Sequence, residues 1–269
     1  MSLKYNKVLA IAGSDSGGCA GIQADLKAIS ACGCFGMTAI TATTAQNTVG
    51  VTDVHGIPPD HLQKQITAVL QDIGADAIKI GMLHSPEIIT VVQHALISFS
   101  VKNVVLDPVM VATSGDTLLQ ENAIASLKEI LPLARLITPN IPEAALLSGE
   151  QISTLSEMKE VAKHLAKTYG VSVLLKAGHL EEDVLTDVLY NIETDATVML
   201  SAKKIVTSNT HGTGCTLSSA IAAFLAKGKP LEEAVTLGKE YLLGALQAGA
   251  TYTLGTGHGP VHHFYQHWT

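Results

Sequence analysis

The segment from Asn209 to Thr216 has the composition of an anion-binding turn. It reads Asn-Thr-His-Gly-Thr-Gly-Cys-Thr and leads into an apolar helix predicted over Gly214–Ala226. Gly212 and Gly214 let the backbone turn sharply, and the free N–H groups at the start of a helix attract negative charge. A transferring phosphoryl group is an anion that such a turn stabilises well. An ordinary glycine-rich entry into a helix is the alternative interpretation.

Two common phosphate-binding motifs are missing from the sequence. It contains no GxxxxGK[ST] motif, which excludes a P-loop NTPase. A glycine-rich run, Gly13–Gly21, follows the first predicted strand but has no GxGxxG pattern, which argues against a dinucleotide-dependent dehydrogenase. The run still lets the backbone approach a flat ligand closely, although a simple tight turn explains it equally well.

Short apolar segments alternate with segments of helical periodicity along the chain. The predicted strands are Val8–Ala12, Met37–Thr43, Ala77–Ile80, Asn103–Asp107, Leu136–Thr138 and Val171–Lys176. The predicted helices are Ala20–Ala31, Leu62–Ile73, Pro86–Phe99, Ala123–Leu131, Ser156–Thr168, Gly214–Ala226 and Leu231–Ala248. Asp187–Ile192 and Ala196–Leu200 indicate an edge hairpin. We therefore predict one α/β domain over residues 1–269, a doubly wound, mostly parallel sheet flanked by helices.

Polar and glycine residues gather where the predicted strands end. They are Gly13–Asp15, Thr44–Asn47, Gly81–Met82, Asp107–Met110, Pro139–Asn140 and Lys176–Gly178. Ligands of doubly wound sheets bind outside the carboxyl ends of the strands. We expect these residues to meet in one site.

The charge balance excludes some classes of partner. The chain has 17 Lys and Arg against 24 Asp and Glu, a net charge of −7, which argues against binding a nucleic acid. Charged residues form 15% and hydrophobic residues 47% of the chain, so a large core is expected, with some apolar surface covered by a second subunit.

We also predict no membrane partner. The uncharged stretches Ala28–Thr52, Ile205–Ala226 and Tyr241–Thr269 are too rich in Thr, Ser, His and Gly to span a bilayer. No apolar segment of the kind found in signal peptides precedes Val8. We interpret the four cysteines as free thiols. These observations predict a cytoplasmic protein.

Nine blocks of sequence, in order over nearly the whole chain, resemble one enzyme family. They are Ala12–Asp15, Gly21–Lys27, Ala45–Thr48, Lys79–Leu83, Val105–Met110, Ile137–Ala144, Leu175–His179, Thr210–Cys215 and Gly259–Phe264. They closely resemble the hydroxymethylpyrimidine/phosphomethylpyrimidine kinases of thiamine biosynthesis. The resemblance implies a ribokinase-like fold, Mg²⁺, a homodimer and two successive ATP-dependent phosphorylations, from alcohol to monophosphate and then to pyrophosphate. One departure is Cys19, which replaces a family glycine and would cost about 1 kcal/mol if the backbone there has positive φ.

The resemblance assigns substrate-binding roles to Gly13, Asp25, Gln46, Met82 and Val109. Gln46 offers an acceptor and donors, the pattern that pairs with the edge of an aminopyrimidine, whereas related pyridoxal kinases tend to carry another residue. Gly13, Met82 and Val109 resemble the walls of a slot for a flat ring. Asp25 is expected to reach the hydroxymethyl end. A loop-anchoring glutamine and a solvated aspartate are the alternatives.

The resemblance also assigns the phosphate end of the site. The catalytic residues would be Lys176, Gly212, Thr213, Gly214 and Cys215, with Asn140, Thr210 and again Lys176 binding the nucleotide. Asp107 and Glu143 would organise Mg²⁺, through water in part, because this ion takes few protein carboxylates. Alternatively, Lys176 is an exposed strand-end residue, and Glu143 only accepts N–H groups at a helix start.

Cys215 has two possible roles. Ribokinases place an aspartate base at the matching position of the anion site. A thiol at a helix N-terminus has a lowered pKa, so a Cys215 thiolate could accept the hydroxyl proton of the substrate. Phosphoryl transfer asks little of a base, so Cys215 could instead be a small residue whose N–H completes the site.

Three other functions compete with a pyrimidine kinase. A pyridoxal or pyridoxine kinase is the nearest, because its substrate is also a flat ring that bears a hydroxymethyl group. A ligand-sensing regulator that has lost catalysis is weakened by the presence of Lys176, Glu143, Asp107 and Gly212–Cys215. A dehydrogenase is the most distant alternative.

Overall fold

The computed structural model describes residues 3–110, 123–178 and 183–268, and within these ranges nine strands form one sheet. The strands are β1 (Lys7–Asp15), β2 (Phe35–Gln46), β3 (Val51–Gly56), β4 (Ala77–Ile80), β5 (Val104–Leu106), β6 (Leu136–Ile137), β7 (Ser172–Leu175), β8 (Val184–Asn191) and β9 (Ala196–Lys203). The helices are α1 (Gly21–Ala31), α2 (Pro59–Asp72), α3 (Pro86–Phe99), α4 (Ala123–Ile130), α5 (Ile141–Ser148), α6 (Leu155–Tyr169), α7 (Thr213–Ala226) and α8 (Leu231–Gly249), with a short 3-10 turn at Leu131–Leu133.

The strand order confirms the predicted fold class. Across the sheet it is β3-β2-β1-β4-β5-β6-β7-β8-β9. The six strands from β2 to β7 in this order run parallel, whereas β3 at one edge and the β8–β9 hairpin at the other are antiparallel. The chain is therefore a doubly wound, mostly parallel α/β structure with the expected edge hairpin.

Alternate residues of the central strands pack into two separate cores. On β1, Leu9 and Ile11 belong to the core formed with α2 to α6, whereas Val8 and Ala10 face α1, α7 and α8. Successive side chains of a strand point to opposite faces, so a sheet covered on both sides needs apolar residues at nearly every position. This requirement makes Lys79, in the middle of β4 and fully buried, an exception.

The sequence pattern does not predict two of the elements. The edge strand β3 has mostly exposed residues and therefore lacks an apolar face, and α5 spans only eight residues. The strand β2 is also longer than the predicted Met37–Thr43, so Gln46 ends the strand instead of following it. His179, the last residue of one matching block, lies outside the described residues.

Candidate active site

The carboxyl ends of the parallel strands and the start of α7 surround one cavity of about 610 Å³. The parallel register brings these distant segments to the same edge of the sheet. The predicted site residues that line it are Gly13, Gln46, Met82, Asp107, Val109, Asn140, Glu143, Lys176, Thr210, Gly212, Thr213, Gly214 and Cys215. One predicted site residue, Asp25, is not among the lining residues.

The backbone at the start of α7 forms the anion-binding turn. Gly212 is the N-cap and has a φ of +81°. A Cβ at this position would lie 1.9 Å from the carbonyl oxygen of Cys19, so a side chain is excluded both by conformation and by contact. The first N–H groups of α7 have no partner within the helix and can attract an anion in the cavity, although the N–H of Thr213 donates to the Thr210 carbonyl at 3.3 Å in this structure.

Lys176 and Asp107 form an ion pair beside this turn. Lys176 Nζ lies 2.9 Å from Asp107 Oδ1, which also accepts a hydrogen bond from the Thr138 hydroxyl. A Cβ on Gly214 would lie 3.2 Å from Asp107 Oδ2 and 3.4 Å from Lys176 Nζ, which places the pair against the first turn of α7. Burial opposes the charge on Lys176, but the carboxylates of Asp107 and Glu143 outweigh it and raise its pKa. Lys176 is therefore a partly buried, paired cation, with 15% of its side chain exposed, and not an exposed strand-end residue.

Glu143 caps a helix and also lines the cavity. Its Oε2 accepts from the backbone N–H of Asn140, and Asn140 Oδ1 accepts from the N–H of Glu143, a capping box that starts α5. Its carboxyl is also buried in the cavity wall, and burial, reinforced by Asp107, raises its pKa to about 7. The capping geometry fixes this carboxyl at the same end of the cavity as Asp107.

The opposite end of the cavity contains Gln46, whose carboxamide is held on both sides. Gln46 Oε1 accepts from the Thr44 hydroxyl at 2.9 Å, and Gln46 Nε2 lies 3.0 Å from His211 Nε2. Burial lowers the pKa of His211 despite the nearby carboxylate of Asp15, so the ring is neutral near pH 7 and its Nε2 accepts from the amide. A carboxamide has two N–H donors and two acceptor lone pairs. His211 uses one N–H donor and Thr44 uses one lone pair, so one donor and one lone pair remain for a ligand.

The space beside Gln46 is bounded on one side by the backbone of Gly13, which has no side chain to fill it. A Cβ on Gly13 would lie 2.5 Å from Met82 Cε, so a larger residue there would push the end of the Met82 side chain out of its present position. Met82 is buried and Val109 is half-buried, and both line the cavity. Backbone on one side and soft apolar side chains on the other suit a flat ring.

Asp15 organises the first glycine loop, a role that the sequence interpretation missed. Its carboxylate accepts from the backbone N–H groups of Gly17, Cys19 and Ala20. Positive φ occurs at Gly18 and Gly21 in this loop but not at Cys19. The expected cost of about 1 kcal/mol for a Cβ at positive φ therefore does not apply to Cys19.

The structure corrects the expected acidity of Cys215. Its thiol is half-buried at the start of α7, and burial raises its pKa to about 11 even though Lys79 opposes the shift. A lowered pKa is expected when only the N–H groups at the helix N-terminus are considered. Here burial and the carboxylates of Asp25 and Asp107 raise the pKa of the thiol. The thiol is therefore protonated near neutral pH, which favours the second of the two roles considered for Cys215, a small residue whose N–H completes the site.

The expectation for Asp25 is also corrected. Its side chain is fully buried beneath the cavity, and Oδ1 lies 2.7 Å from Lys79 Nζ. The Ser219 hydroxyl donates to the same oxygen at 2.8 Å. Asp25 is thus neither a solvated carboxylate nor part of the cavity wall, because Lys79 and Ser219 hold it below the floor.

Three functional residues were not singled out as such from the sequence. His211 and Asp15 lie inside the matching blocks, but only the fold brings His211 Nε2 to Gln46 and to within 3.6 Å of Asp15 Oδ2. Lys79 carried a signal, since a lysine in the middle of an apolar strand is unusual. The apolar wall that Leu242, Leu243 and Leu246 of α8 give to the cavity had no distinct sequence signal.

No described helix is long and apolar enough to span a membrane. Within the described ranges, no group of three or more His, Cys, Asp or Glu residues could hold a metal ion by itself.

The mostly parallel sheet, with one cavity at the carboxyl ends of its strands, is that of a ribokinase-like kinase. A crystal structure of the Bacillus subtilis pyridoxal kinase in complex with ADP superposes with a TM-score of 0.90 and 37% identity, over 99% of this chain and 100% of that chain. A crystal structure of the phosphomethylpyrimidine kinase of Clostridium difficile gives a TM-score of 0.79 and 44% identity, over 89% of this chain and 99% of that chain.

Sequence comparison identifies the family. The profile described as "Phosphomethylpyrimidine kinase" matches residues 15–262. The hydroxymethylpyrimidine/phosphomethylpyrimidine kinase of Rhizobium meliloti is 50% identical over 262 residues, which cover 97% of each chain. The chain belongs to the phosphomethylpyrimidine kinase family, and the family resemblance inferred from its motifs is confirmed.

Proposed function

We propose that this kinase uses ATP to phosphorylate 4-amino-5-hydroxymethyl-2-methylpyrimidine, first to its monophosphate and then to its pyrophosphate, in thiamine biosynthesis. The observation that carries the proposal is one cavity with two chemically different ends. One end offers the free edge of the Gln46 amide, and the other offers Lys176 and the first turn of α7. The Rhizobium meliloti relative is named as a kinase of hydroxymethylpyrimidine and phosphomethylpyrimidine, which supports the same two acceptors here.

The pyrimidine end selects its ligand by hydrogen bonding. An aminopyrimidine presents a ring nitrogen acceptor beside an amino donor, and the remaining N–H and lone pair of Gln46 complement both groups. Gly13, Met82 and Val109 would then contact the faces of the ring. A ligand without the matching donor and acceptor leaves the buried amide unpaired, which costs about 1–3 kcal/mol.

The phosphate end stabilises the transferring group. The substrate hydroxyl would attack the terminal phosphoryl group of ATP, and the negative charge would be met by the Lys176 ammonium and the N–H groups of Gly212, Thr213, Gly214 and Cys215. The transition state is loose, so little base strength is needed. Because the Cys215 thiol is protonated, we assign Cys215 to the anion site as a small residue and not to proton abstraction.

The carboxylates at this end fit a magnesium ion. Mg²⁺ takes oxygen ligands and keeps several waters, and Asp107 and Glu143 supply two carboxyl groups in one cavity wall. The charge of Asp107 contributes to the raised pKa of Glu143, and a bound cation would relieve this repulsion between the two carboxyl groups. When bound, the ion would neutralise the phosphate oxygens of ATP. Asp107 and Glu143 would hold it, partly through water.

The nucleotide would extend along α8. Asn140 and Thr210 line the cavity near Lys176 and offer polar contacts to its phosphates and ribose. Leu242, Leu243 and Leu246 form an apolar wall suited to a flat base. The ADP complex of the pyridoxal kinase relative supports a nucleotide as co-substrate.

Pyridoxal is the second candidate substrate. The specific observation in its favour is the TM-score of 0.90 with the pyridoxal kinase of Bacillus subtilis. Both rings carry a hydroxymethyl group, so the phosphate end would serve either. The amide edge of Gln46 favours the aminopyrimidine, because it matches a ring nitrogen and an amino group side by side.

The test is a steady-state comparison of three acceptors with ATP and Mg²⁺. The kcat/KM of the pyrimidine alcohol, its monophosphate and pyridoxal would be measured by coupled ADP release. We expect both pyrimidines to exceed pyridoxal by at least about tenfold, which corresponds to one unpaired polar group in the site. A higher kcat/KM for pyridoxal than for both pyrimidines would contradict the proposal.

We further propose that residues 1–269 form one kinase domain that acts as a homodimer in the cytoplasm. The low charge content and exposed apolar side chains such as Val206, Met199 and Leu254 support a subunit interface. The four cysteines are free, as in a reducing compartment. Light scattering on the purified protein would report twice the chain mass for a homodimer, and the chain mass alone would contradict it.

A further inference from the structure

Lys79 and Asp25 form a fully buried ion pair that the proposed mechanism does not use. Lys79 Nζ lies 2.7 Å from Asp25 Oδ1, and neither side chain is accessible to solvent. Besides this contact, Lys79 Nζ and Asp25 Oδ2 have no hydrogen-bond partner among the described residues. The pair therefore has unused donor capacity directly beneath the cavity.

A buried ion pair by itself contributes little to the stability of a fold. Desolvation of two charges can exceed their mutual attraction, and uncharged replacements of similar volume are often as stable. Lys79 occupies the middle of β4, between Ala10 on β1 and Val105 on β5, where apolar residues fill the rest of the core. A lysine at this position calls for a role other than filling the core.

The pair connects three elements beneath the anion-binding turn. Lys79 belongs to β4, Asp25 to α1, and Ser219 of α7 donates to Asp25 Oδ1 at 2.8 Å. Ser219 is four residues after Cys215, one turn further along the same side of α7. Holding Ser219 therefore fixes the start of α7, where the anion-binding N–H groups lie.

The ammonium also faces the cavity floor. Lys79 is one of the residues that line the cavity, together with Cys215 and Asp107. A Cβ on Gly81 would lie 2.8 Å from Lys79 Nζ, so the glycine after β4 leaves space for the ammonium. The charged groups that face it are Asp25 from α1 and Asp107 from the end of β5.

We propose that Lys79, held by Asp25 and Ser219, is a positioning residue that places a fixed positive charge under the first turn of α7. It acts through Cys215 and the N–H groups of that turn, whose attraction for the transferring phosphoryl group it strengthens. Charges preorganised in a water-excluded site stabilise a transition state strongly. This role rests on the proposed kinase activity and adds two residues, Lys79 and Ser219, to those assigned above.

The raised pKa of Lys79 agrees with a permanently charged ammonium. Burial disfavours the ammonium of Lys79, but the neighbouring carboxylates outweigh burial and raise its pKa. Lys79 is also the main influence that opposes the upward shift in the pKa of Cys215. Its removal should therefore make the Cys215 thiol less acidic and less reactive.

The test uses a double variant that removes both charges. Lys79→Met with Asp25→Asn keeps the side-chain volumes and the acceptor for Ser219, and it avoids leaving one charge unpaired. We expect its melting temperature to stay within about 4 °C of the parent. We expect kcat for the pyrimidine alcohol to fall at least about tenfold, with KM changed less than about twofold.

A second readout is the alkylation of Cys215 by iodoacetamide, followed by peptide mass spectrometry. Cys19, Cys32 and Cys34 are buried, so Cys215 is the most accessible cysteine. We expect the rate to fall in the double variant, because Lys79 lowers the pKa of Cys215 by more than Asp25 raises it, so the loss of both charges leaves less thiolate. A merely structural pair would leave this rate unchanged in a variant that folds.

Two further proteins complete the design. Ser219→Ala removes only the hydroxyl that ties α7 to Asp25, so it gives a milder fall in kcat even if the double variant does not fold. Arg135→Met with Glu193→Gln removes a surface ion pair of the same length, 2.7 Å, and should leave kcat and alkylation unchanged.

Parent-like kcat and alkylation in a folded double variant, or in Ser219→Ala, would overturn the positioning role. A rise in KM with unchanged kcat would also overturn it, because the pair would then act on substrate binding. If the parent itself did not phosphorylate the pyrimidine, the proposed function would fail. The alkylation rate would still report whether Lys79 acts on Cys215.

Discussion

Gln46 and His211 are in direct contact, with Nε2 of the amide 3.0 Å from Nε2 of the ring, although 165 positions separate them in the chain. The residue proposed to read the pyrimidine is thus held by a residue of the segment Asn209–Thr216, the predicted anion-binding turn. His211 also lies 3.6 Å from Asp15, which organises the first glycine loop. One histidine therefore links the residue proposed to select the substrate with the two loops proposed to surround the phosphate.

Replacing Gln46 by methionine should weaken pyrimidine turnover. The substitution keeps the length of the side chain but removes the donor and acceptor that pair with the ring, at a cost of about 1–3 kcal/mol in kcat/KM. Pyridoxal turnover should fall less or rise. Gln63→Met on the exposed side of α2 is the control. Equal pyrimidine kinetics in Gln46→Met and the parent would remove Gln46 from the site.

Replacing His211 should disturb the same selection indirectly. His211→Leu removes the acceptor for Gln46 Nε2, so the amide is no longer fixed and kcat/KM for the pyrimidine should fall by about 1 kcal/mol or more. His211→Asn, which keeps a polar partner, should lose less. The exposed His258→Asn is the matched control. A His211→Leu variant with the parent's preference for pyrimidine over pyridoxal would show that Gln46 needs no partner.

Replacing Lys176 should slow both phosphorylations with the fold intact. Lys176→Ala removes the cation beside the first turn of α7, and the loss of one such group costs about 10²–10³-fold in kcat. The same nucleotide site serves both steps, so the alcohol and the monophosphate should be affected alike. Lys64→Ala in an exposed ion pair of α2 is the control. Unchanged turnover of both acceptors in Lys176→Ala would place the phosphate site elsewhere.

Cys215 should tolerate conservative replacement. Because its thiol has a pKa of about 11, it is protonated at neutral pH, and Cys215→Ser keeps the N–H group and the small volume. We expect a loss in kcat below about tenfold and a pH profile that parallels the parent from about pH 6 to about pH 9. A loss of about 10²–10⁴-fold, together with a basic limb present only in the parent, would restore the role of Cys215 as a base.

The stability of the fold should decrease in acid because of His263. Burial lowers the pKa of His263 to about 3, and its Nε2 lies 3.0 Å from the Thr216 hydroxyl. The unfolded chain binds this proton near pH 6.5 and the folded chain does not, so stability is complete above that pH and is lost as the pH falls towards 3. The slope is up to about 1.4 kcal/mol per pH unit.

Urea unfolding at several pH values measures this effect. His263→Gln should flatten the pH dependence of the free energy of unfolding, whereas the exposed His164→Gln should leave it unchanged. An identical acid slope in His263→Gln and the parent would assign the effect to other groups.

The sheet could be predicted because its central strands are apolar on both faces, which needs no knowledge of tertiary contacts. Pro86–Phe99 and Ala77–Ile80 agree with the predicted bounds residue for residue. The strand β3 could not be predicted, because its exposed residues carry no apolar periodicity. The glycines and strand-end residues of the site could be predicted because short sequence motifs identify them without knowledge of tertiary contacts.

The remaining part of the site depends on distant contacts. The pKa of Cys215 is set by burial and by Lys79, Asp25 and Asp107, which come from three other segments of the chain. Asp25 looks like an ordinary helical carboxylate until β4 brings Lys79 to it. The helix-terminus rule indicated an acidic thiol, whereas burial raises the pKa of Cys215. For Asp25 neither the expected contact with the hydroxymethyl end nor the alternative of a solvated carboxylate agrees with its burial against Lys79.

The most direct test of the central claim is the stoichiometry of phosphate transfer to the pyrimidine alcohol. The enzyme would be incubated with a limiting amount of the alcohol and excess ATP and Mg²⁺, and products would be identified by mass spectrometry while ADP is counted. We expect the monophosphate to appear first, the pyrophosphate to accumulate at completion, and two ADP to form for each pyrimidine. An unmodified pyrimidine after prolonged incubation, in a sample that phosphorylates pyridoxal, would contradict the account.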